Sequence, residues 1–282
     1  MAQTITAELR QWIVQQARAG CSPQDVLAAM RQAGWQEEVA LQAMETALEE
    51  HVSALPRRVA TSAWARPRID LTGSPRTLDL GDRTVRVLAA LQQPRLVVLA
   101  DLLSDEECAA LIAAAEPRLQ RSRTVQTATG GEELNPDRTS DGMFFRRAET
   151  PLIARIEARL SRLVQWPVDH GEGLQVLRYR PGAQYKPHYD YFDPGAPGSA
   201  RILQRGGQRV ATLVMYLNDP EAGGGTTFPD IGLEVYPQRG HAVFFAYDRP
   251  DPSTQTLHGG APVLRGEKWV ATKWLREREF QP

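Results

Sequence analysis

One His-x-Asp pair carries the strongest chemical signal in the 282-residue sequence, in the segment Tyr185-Lys-Pro-His188-Tyr-Asp190. Residues two apart in an extended strand point to the same side, so His188 and Asp190 can reach one metal ion. One further histidine would complete a facial set of two imidazoles and a carboxylate. That set is typical of non-haem iron(II) enzymes, because it leaves coordination positions open for a co-substrate and dioxygen.

The chain contains five histidines, so the competing ligands can be weighed one by one. His170-Gly171-Glu172 has the same spacing as the first pair. It precedes the predicted strand Leu174–Tyr179, however, and its glycine favours a turn, so it ranks below the first pair. His51 falls at the end of a helical region and is not expected to bind the metal.

The second imidazole comes from His241 or His258. His241 opens an apolar strand after a glycine, which is also typical of a surface turn. His258 is followed ten residues later by Lys268, and two glycine turns between them can bring the lysine beside the metal. The ammonium can then pair with the remote carboxylate of a keto-diacid whose other end chelates iron. This offset favours His258.

Strand alternation brings further polar groups to the same region. Alternate residues of the predicted strand Arg209–Leu217 share one face. These residues are Val210, Thr212, Val214 and Tyr216. Thr212 and Tyr216 can therefore present hydroxyls to a carboxylate between apolar walls. The last predicted strand has one face formed by Lys268, Val270, Thr272 and Trp274.

Residues 1–52 are predicted to form a small module of three helices. Ser22-Pro23-Gln24-Asp25 begins the second helix with a serine cap, a proline in the first turn and an acid three residues after the cap. Gly34 ends that helix. The Gly-Trp pair followed by an alanine-rich helix resembles ubiquitin-associated-type modules. This resemblance implies either a protein partner for the module or a role in packing or oligomerisation.

The rest of the chain divides into a linker and a larger domain. Residues 53–79 are rich in proline and arginine and poor in periodic apolar residues, which predicts a linker. Within residues 80–282, Leu96–Leu99 is predicted as a buried strand and Ser104 as a helix cap. Beyond residue 172 strands dominate. Helices followed by many short strands predict an α+β domain with a β-sandwich or jelly-roll core.

Composition limits the partners and the compartment. Lys+Arg 33 against Asp+Glu 34 gives a net charge of -1, which favours neither nucleic acid nor an anionic membrane as a partner. Cys21 and Cys108 are isolated, so we expect reduced thiols. With neither a secretion signal nor an apolar run of membrane-spanning length, the chain is predicted to be cytoplasmic.

Ordered sequence blocks between residues 94 and 276 resemble the 2-oxoglutarate/iron(II) dioxygenase superfamily, and within it the prolyl 4-hydroxylase catalytic subunit. The blocks are Arg138-Thr-Ser140, Glu172-Gly-Leu-Gln-Val-Leu-Arg-Tyr179, Tyr185-Lys-Pro-His188-Tyr-Asp190, Arg209-Val-Ala-Thr212-Leu-Val-Met-Tyr216, Gly223-Gly-Gly-Thr-Thr-Phe-Pro229, Gly240-His-Ala-Val-Phe-Phe245, His258-Gly-Gly-Ala-Pro-Val263 and Gly266-Glu-Lys268-Trp269. The resemblance implies a double-stranded β-helix (jelly-roll) core with flanking helices. It also implies iron on His188, Asp190 and His258, and the side carboxylate of 2-oxoglutarate on Lys268.

The same resemblance implies further roles. Tyr179, Thr212 and Tyr216 match positions that line the co-substrate pocket. The positions that match a peptide groove are Arg138, Ser140, Glu172, Tyr185, Arg209 and Trp274. Arg276 departs from the pattern, since peptidyl-prolyl hydroxylases tend to place histidine there. The departure leaves the substrate open.

The resemblance implies a hydroxylase that uses iron(II), with 2-oxoglutarate and dioxygen as co-substrates and ascorbate (vitamin C) as reductant. The expected substrate is a prolyl residue in a peptide or protein. One alternative is a small molecule or another residue type at the same iron centre, and another is a catalytically silent binding protein. Intact metal ligands and Lys268 argue against the silent protein. The glycine-rich connector Tyr191–Gln208 is predicted to be a mobile lid.

Overall fold

The computed structural model describes residues 3, 5–18, 22–54, 66–122, 124–125, 131–133 and 137–281. The chain forms two compact units, Met1–Ala65 and Arg66–Pro282. Their boundary falls within the predicted linker, residues 53–79. Of that linker, residues 55–65 lie outside the described residues, as does Cys21.

The first unit contains three helices, as predicted. They are α1 (Ala7–Arg18), α2 (Pro23–Gln32) and α3 (Glu37–Ala54). The expected cap of α2 is confirmed: the Asp25 N–H donates to Ser22 Oγ at 3.2 Å, and the Ser22 N–H donates to Asp25 Oδ2 at 3.3 Å. The helices bury a small core of Ile13, Val26, Met30, Ala40, Ala43, Met44 and Ala47. The ubiquitin-associated resemblance stays a prediction.

The second unit contains helices and short strands. The helices are α4 (Asp105–Ala115), α5 (Pro151–Val164) and α6 (Ser199–Gln204). The strands are β1 (Thr77–Asp79), β2 (Thr84–Leu91), β3 (Arg95–Ala100), β4 (Gln120–Arg121), β5 (Thr124–Val125), β6 (Glu132–Glu133), β7 (Asp141–Phe145), β8 (Leu174–Tyr179), β9 (Tyr185–His188), β10 (Arg209–Tyr216), β11 (Ala222–Gly223), β12 (Thr226–Phe228), β13 (Leu233–Val235), β14 (Ala242–Ala246), β15 (His258–Gly260), β16 (Val263–Arg265) and β17 (Lys268–Arg276).

Two antiparallel sheets organise this unit. The nine-stranded sheet has the order β1-β2-β3-β14-β10-β17-β8-β7-β4, and the four-stranded sheet has the order β13-β12-β15-β9. Some neighbours in both sheets are distant in sequence, such as β3 beside β14, β17 beside β8, and β15 beside β9, as in a double-stranded β-helix. The predicted α+β fold with a jelly-roll core is confirmed.

Two apolar clusters cover the two faces of the large sheet. One cluster packs that sheet against helices α4 and α5, through residues such as Leu111, Ile156 and Leu213. The other cluster fills the space between the large and the four-stranded sheets, and includes Tyr216 and Phe228. Helices thus support one face of the sheet, and the other face borders an interior that can hold a site.

The structure refines three expectations. Val210 packs on the helix side rather than with Tyr216, because a bulge between Arg209 and Ala211 shifts the alternation. Residues 66–79 belong to the second unit: β1 joins the large sheet, and Ile69 packs against the core. The predicted lid contains helix α6, and Ile202 within it is buried. Among the described helices, none has the length and apolar character needed to cross a bilayer.

Candidate active site

The three predicted metal ligands meet at the four-stranded sheet. His188 ends β9, Asp190 follows it, and His258 begins β15, directly opposite His188 in the strand register. Asp190 Oδ1 lies 3.6 Å from His188 Nε2, and Asp190 Oδ2 lies 3.4 Å from His258 Nε2. All three ligand atoms lie within 4.8 Å of one another, which one ion can bridge. Within the described residues this is the sole such group of His, Cys, Asp and Glu.

Both imidazoles are oriented by backbone carbonyls. His188 Nδ1 lies 2.9 Å from the Lys186 carbonyl, and His258 Nδ1 lies 3.0 Å from the Thr256 carbonyl. A carbonyl can only accept, so each Nδ1 carries the proton and donates it. The Nε2 lone pairs are then free and point toward Asp190, as metal-binding histidines require.

The electrostatics of the three residues also fit a divalent cation. Burial alone would raise the pKa of Asp190, but His258 and His188 together hold it well below its ordinary value. Burial, assisted by the neighbouring His258, lowers the pKa of His188. The site therefore presents an ionised carboxylate and a neutral imidazole, which are the protonation states that metal ligation needs.

A hydroxyl chain supports the carboxylate. Thr212 Oγ1 donates to Asp190 Oδ2 at 2.7 Å, and Tyr247 Oη lies 3.0 Å from Thr212 Oγ1. Since the single Thr212 proton is used on Asp190, Tyr247 must be the donor to Thr212. Burial first, and then the Asp190 charge, raise the pKa of Tyr247 well above its ordinary value, so the donor proton is retained. Thr212 thus holds the carboxylate of a predicted metal ligand, and its contact with the co-substrate stays a prediction.

Tyr247 was missed at the sequence level, although alternation could have found it. Val243 and Phe245 of β14 belong to the cluster between the sheets, and Tyr247 continues their face. The Phe245 ring lies 4.5 Å from the His258 ring. On the other side, the Tyr185 ring stacks on His188 with a centroid distance of 3.7 Å. Aromatic side chains therefore border both imidazoles.

Lys268 lies in the same interior, without a carboxylate partner among the described residues. The residue is 4% exposed, and no carboxylate of the described residues lies within 4.0 Å of its Nζ. Its ammonium faces the rings of Tyr179 and Tyr216, 5.5 and 5.9 Å from their centroids. Burial lowers the pKa of Lys268 to about 8, and only Glu234 opposes this effect. A buried ammonium with no counter-ion is the complement of an anionic ligand.

The walls around Lys268 include the two tyrosines that the resemblance assigned to the co-substrate. Tyr179 pairs with Lys268 across β8 and β17. Tyr216 is fully buried and its hydroxyl donates to Thr226 Oγ1 at 2.8 Å. Gly224, with φ of +74°, leaves room for the lysine stem: a Cβ there would lie 3.1 Å from Lys268 Cδ. These contacts fix the ammonium in the space between the sheets.

The predicted groove residues lie on both sides of the metal ligands. Arg209 makes a two-pronged ion pair with Glu172, from Nε to Oε1 at 2.7 Å and from Nη2 to Oε2 at 2.9 Å. Its guanidinium stacks 4.0 Å from the Trp274 ring centroid and lies 3.9 Å from Asp190 Oδ1. Phe192, which the sequence did not single out, packs against the same guanidinium at 4.8 Å.

Arg138 lies beside β9 at the edge of the four-stranded sheet, whereas Ser140 directly precedes β7 of the large sheet. Arg138 forms an isolated bridge with Tyr185, stacks over its ring at 5.0 Å, and donates from Nη2 to Gln175 at 2.9 Å. Ser140 donates to Ser122 Oγ at 3.0 Å and is fully buried. Two buried donors near this surface, Arg138 Nε and Trp274 Nε1, have no partner within the described residues. Such donors suit the carbonyls of a bound chain.

The competing ligands lie elsewhere. The carboxylate of Glu172 is occupied by Arg209 and Arg276, and His170 packs on Trp166 with ring centroids 5.5 Å apart. His241 lies on a different surface, where burial lowers its pKa although the nearby Asp101 opposes this effect. Of the histidine pairings weighed from the sequence, the structure brings together only the pair that was preferred.

Comparison with known proteins shows the family of the chain. The family model of the 2OG-Fe(II) oxygenase superfamily matches residues 174–276. Probable prolyl 4-hydroxylase 3 of Arabidopsis thaliana is 40% identical over 222 residues, which cover 71% of this chain and 75% of the relative. Prolyl 4-hydroxylase 1 of the same plant is 45% identical over 204 residues, 66% of this chain and 70% of the relative. The structure of a viral collagen prolyl hydroxylase from Paramecium bursaria Chlorella virus-1 is 31% identical, covers 64% of this chain and 95% of its own, and gives a TM-score of 0.49.

The chain belongs to the prolyl 4-hydroxylase family of the 2OG-Fe(II) oxygenase superfamily. It is therefore a 2-oxoglutarate-dependent dioxygenase that uses iron(II), 2-oxoglutarate and dioxygen, as predicted. The roles of individual residues in binding iron, the co-substrate and the substrate rest on the geometry of the site.

Proposed function

We propose that the protein hydroxylates prolyl residues of a peptide or protein, with iron(II) on His188, Asp190 and His258. The observation that carries the proposal is the buried Lys268 ammonium, which has no carboxylate partner in the described structure and lies in the same interior as these ligands. An anionic co-substrate satisfies that charge. Relatives named prolyl 4-hydroxylases, at 40% and 45% identity, support proline as the target.

Iron(II) supplies the centre at which oxidative decarboxylation of 2-oxoglutarate is coupled to hydroxylation of a C–H bond. The protein's task is to hold the ligands, the co-substrate and the substrate in one arrangement. Thr212 and Tyr247 hold the Asp190 carboxylate by hydrogen bonds. Tyr185 and Phe245 pack against the imidazoles and hold the rings in place.

Lys268 binds the remote carboxylate of 2-oxoglutarate. The pairing supplies the counter-ion that the buried ammonium lacks, and it raises the pKa of Lys268 toward its ordinary range. A monocarboxylate keto acid lacks this second charge and is expected to bind more weakly. The protein thus selects a keto acid whose second carboxylate can reach Lys268.

The peptide lies along the surface that carries Arg138, Arg209 and Trp274. The buried Arg138 Nε and Trp274 Nε1 donate to carbonyls of its backbone, which satisfies two donors that otherwise have no partner in the described structure. Ascorbate is the proposed reductant that restores iron(II) after uncoupled turnovers. A protein partner for residues 1–52 and a cytoplasmic location stay predictions.

The test is to incubate the full chain with iron(II), 2-oxoglutarate, ascorbate and a proline-rich peptide. We expect succinate and a mass increase of one oxygen atom on proline. Asp190→Ala is expected to lose both products, while Asp248→Ala, which removes a half-exposed carboxylate outside the triad, keeps them.

Three results would contradict parts of the proposal. Succinate formation that responds to a free amino acid but to no proline peptide would refute the peptidyl substrate. Absence of succinate with every substrate would refute the dioxygenase assignment of the site. Full activity of Asp190→Ala would refute the metal ligands.

A further inference from the structure

Arg276, at the end of β17, joins two parts of the chain that are far apart in sequence. Its side chain is 2% exposed. Nη1 donates to Glu172 Oε1 at 2.9 Å, while Nε donates to the Gly207 carbonyl at 3.0 Å. Nη2 donates to the carbonyls of Ile202 at 2.9 Å and Gly207 at 2.6 Å. The planar guanidinium therefore contacts a carboxylate on one side and the backbone of residues 202–207 on the other.

The backbone that Arg276 contacts is the last part of the connector Tyr191–Gln208. Helix α6 ends there, and the carbonyl end of a helix is its negative end, so a cation there is favourable. The Ile202 carbonyl accepts from the Arg205 N–H at 3.2 Å and from Arg276 as a second donor. The start of the connector is tied separately. The Gln208 amide accepts from the Phe192 N–H at 2.8 Å and donates to the Phe192 carbonyl at 2.7 Å. Gln208 thus closes the base of the connector, and Arg276 fastens its helix.

The carboxylate that Arg276 contacts belongs to the groove. Glu172 also accepts two hydrogen bonds from Arg209, in a bidentate ion pair. Arg209 Nη1 lies 3.4 Å from the Asp190 carbonyl oxygen and 3.9 Å from Asp190 Oδ1. An unbroken series of contacts therefore runs from helix α6 through Arg276, Glu172 and Arg209 to a metal ligand. The two guanidiniums balance the two carboxylates, so the buried group is neutral as a whole.

We propose that Arg276 is a positioning residue for peptide hydroxylation. It holds helix α6 and the Glu172–Arg209 pair in one arrangement, so that the connector forms a fixed wall beside the metal ligands. The inference rests on the proposed function for the identity of the substrate. A lysine cannot replace Arg276, because a single ammonium cannot reach the carboxylate and both carbonyls in one plane. The position that departs from the family pattern thus gains a role of its own.

The test compares Arg276→Lys with Arg278→Lys in the full chain loaded with iron(II) and 2-oxoglutarate. Arg278 is an exposed arginine that donates to the Leu203 carbonyl at 3.3 Å, at the same end of α6, and is therefore a matched control. For Arg276→Lys we expect the KM for a proline-rich peptide to rise about tenfold, or about 1.4 kcal/mol. Succinate formed per hydroxyproline should rise at least about threefold, since a loosened wall leaves turnovers uncoupled. Arg278→Lys should stay within about twofold of the parent protein.

A second readout does not depend on the substrate. Hydrogen exchange of the amides in 191–208 should become about tenfold faster in Arg276→Lys and unchanged in Arg278→Lys. Should Arg276→Lys fail to fold, Arg276→Gln is measured in the same way. Unchanged exchange and unchanged KM in the Arg276 variant overturn the inference, as do equal effects in both arginine variants. If the parent protein hydroxylates no proline peptide, the proposed function fails, and the exchange experiment still decides whether Arg276 holds the connector.

Discussion

Replacing Lys268 by methionine should weaken 2-oxoglutarate binding and, in the same protein, stabilise the ligand-free fold. Burial lowers the pKa of Lys268 from 10.5 to about 8. At about 1.4 kcal/mol per pKa unit, the charged amine costs the ligand-free protein about 3 kcal/mol at pH 7. Methionine has a similar length and no charge, so Lys268→Met should gain up to about 3 kcal/mol in unfolding free energy at pH 7.

The pH dependence of this gain follows from the direction of the shift. Between pH 8 and about 10.5 the unfolded chain keeps the Lys268 proton while the folded chain loses it, so the stability of the parent protein rises with pH. The advantage of Lys268→Met should therefore be complete below pH 8 and fade above it. Urea unfolding at a series of pH values measures both proteins. A methionine variant that is less stable than the parent at pH 7 would refute the idea that the lysine is buried without a counter-ion.

Binding of 2-oxoglutarate to the parent protein should weaken as the pH rises, whereas the stability of its fold increases. Only the ammonium form pairs with the carboxylate, so the Kd for 2-oxoglutarate should double near pH 8 and rise about tenfold by pH 9, relative to pH 7. Anaerobic calorimetry with iron(II) present, in two buffers of different ionisation enthalpy, should detect about half a proton taken up at pH 8. In Lys268→Arg the proton uptake should vanish, because the guanidinium stays charged. A Kd that is flat from pH 7 to 9.5, without proton uptake, would contradict the assigned role.

Three further perturbations test the neighbouring contacts. Thr212→Val removes the donor to Asp190, so iron(II) binding, measured by metal titration, should weaken about 10- to 100-fold. Thr72→Val removes a hydroxyl beside the surface Asp70 and should leave iron binding unchanged. Gly224→Ala and Gly182→Ala, at φ of +74° and +81°, should each cost about 1 kcal/mol in thermal unfolding. Only the methyl group of Gly224→Ala meets the Lys268 stem, so only this variant should also raise the KM for 2-oxoglutarate. Equal KM values in the two variants would exclude that contact. Burial would raise the pKa of Glu107, but Arg159 and the Ser104 N–H lower it to about 2. The ionised Glu107 therefore stabilises the fold above pH 4.5, and this stabilisation is lost toward pH 2. Acid unfolding of Glu107→Gln should lack this pH-dependent loss, and an unaltered acid profile would show that the Glu107–Arg159 pair contributes nothing.

The meeting of His188, Asp190 and His258 could be predicted because the signals for it are local. The pair His188 and Asp190 is set by strand alternation alone, and Lys268 distinguished His258 from His241 through a short offset. Helix caps at Ser22 and Ser104 were equally local, and both form as expected. Where a few neighbouring residues determine the geometry, their identities are sufficient to predict it.

Contacts between distant segments were not predictable in the same way. The hydrogen bond from Thr212 to the Asp190 carboxylate, 22 residues earlier in the chain, was not foreseen. Nothing local to Arg276 indicates that it contacts both Glu172 and the end of α6. The connector around α6 was predicted as a lid because its glycines and prolines suggest a loop, and the sequence does not show that its carbonyls have arginine partners.

Because His188 pairs with His258 across β9 and β15, an iron ion held by both imidazoles, as proposed, would be a cross-link between two strands. Strand β9 is the last strand of the four-stranded sheet, so ligation there ties down a sheet edge that would otherwise fray most readily. Every ligand that binds only the folded state adds its binding free energy to stability. Scarcity of ferrous iron would therefore shorten the lifetime of the protein as well as its activity, and the amount of enzyme in a cell would follow the supply of its own cofactor.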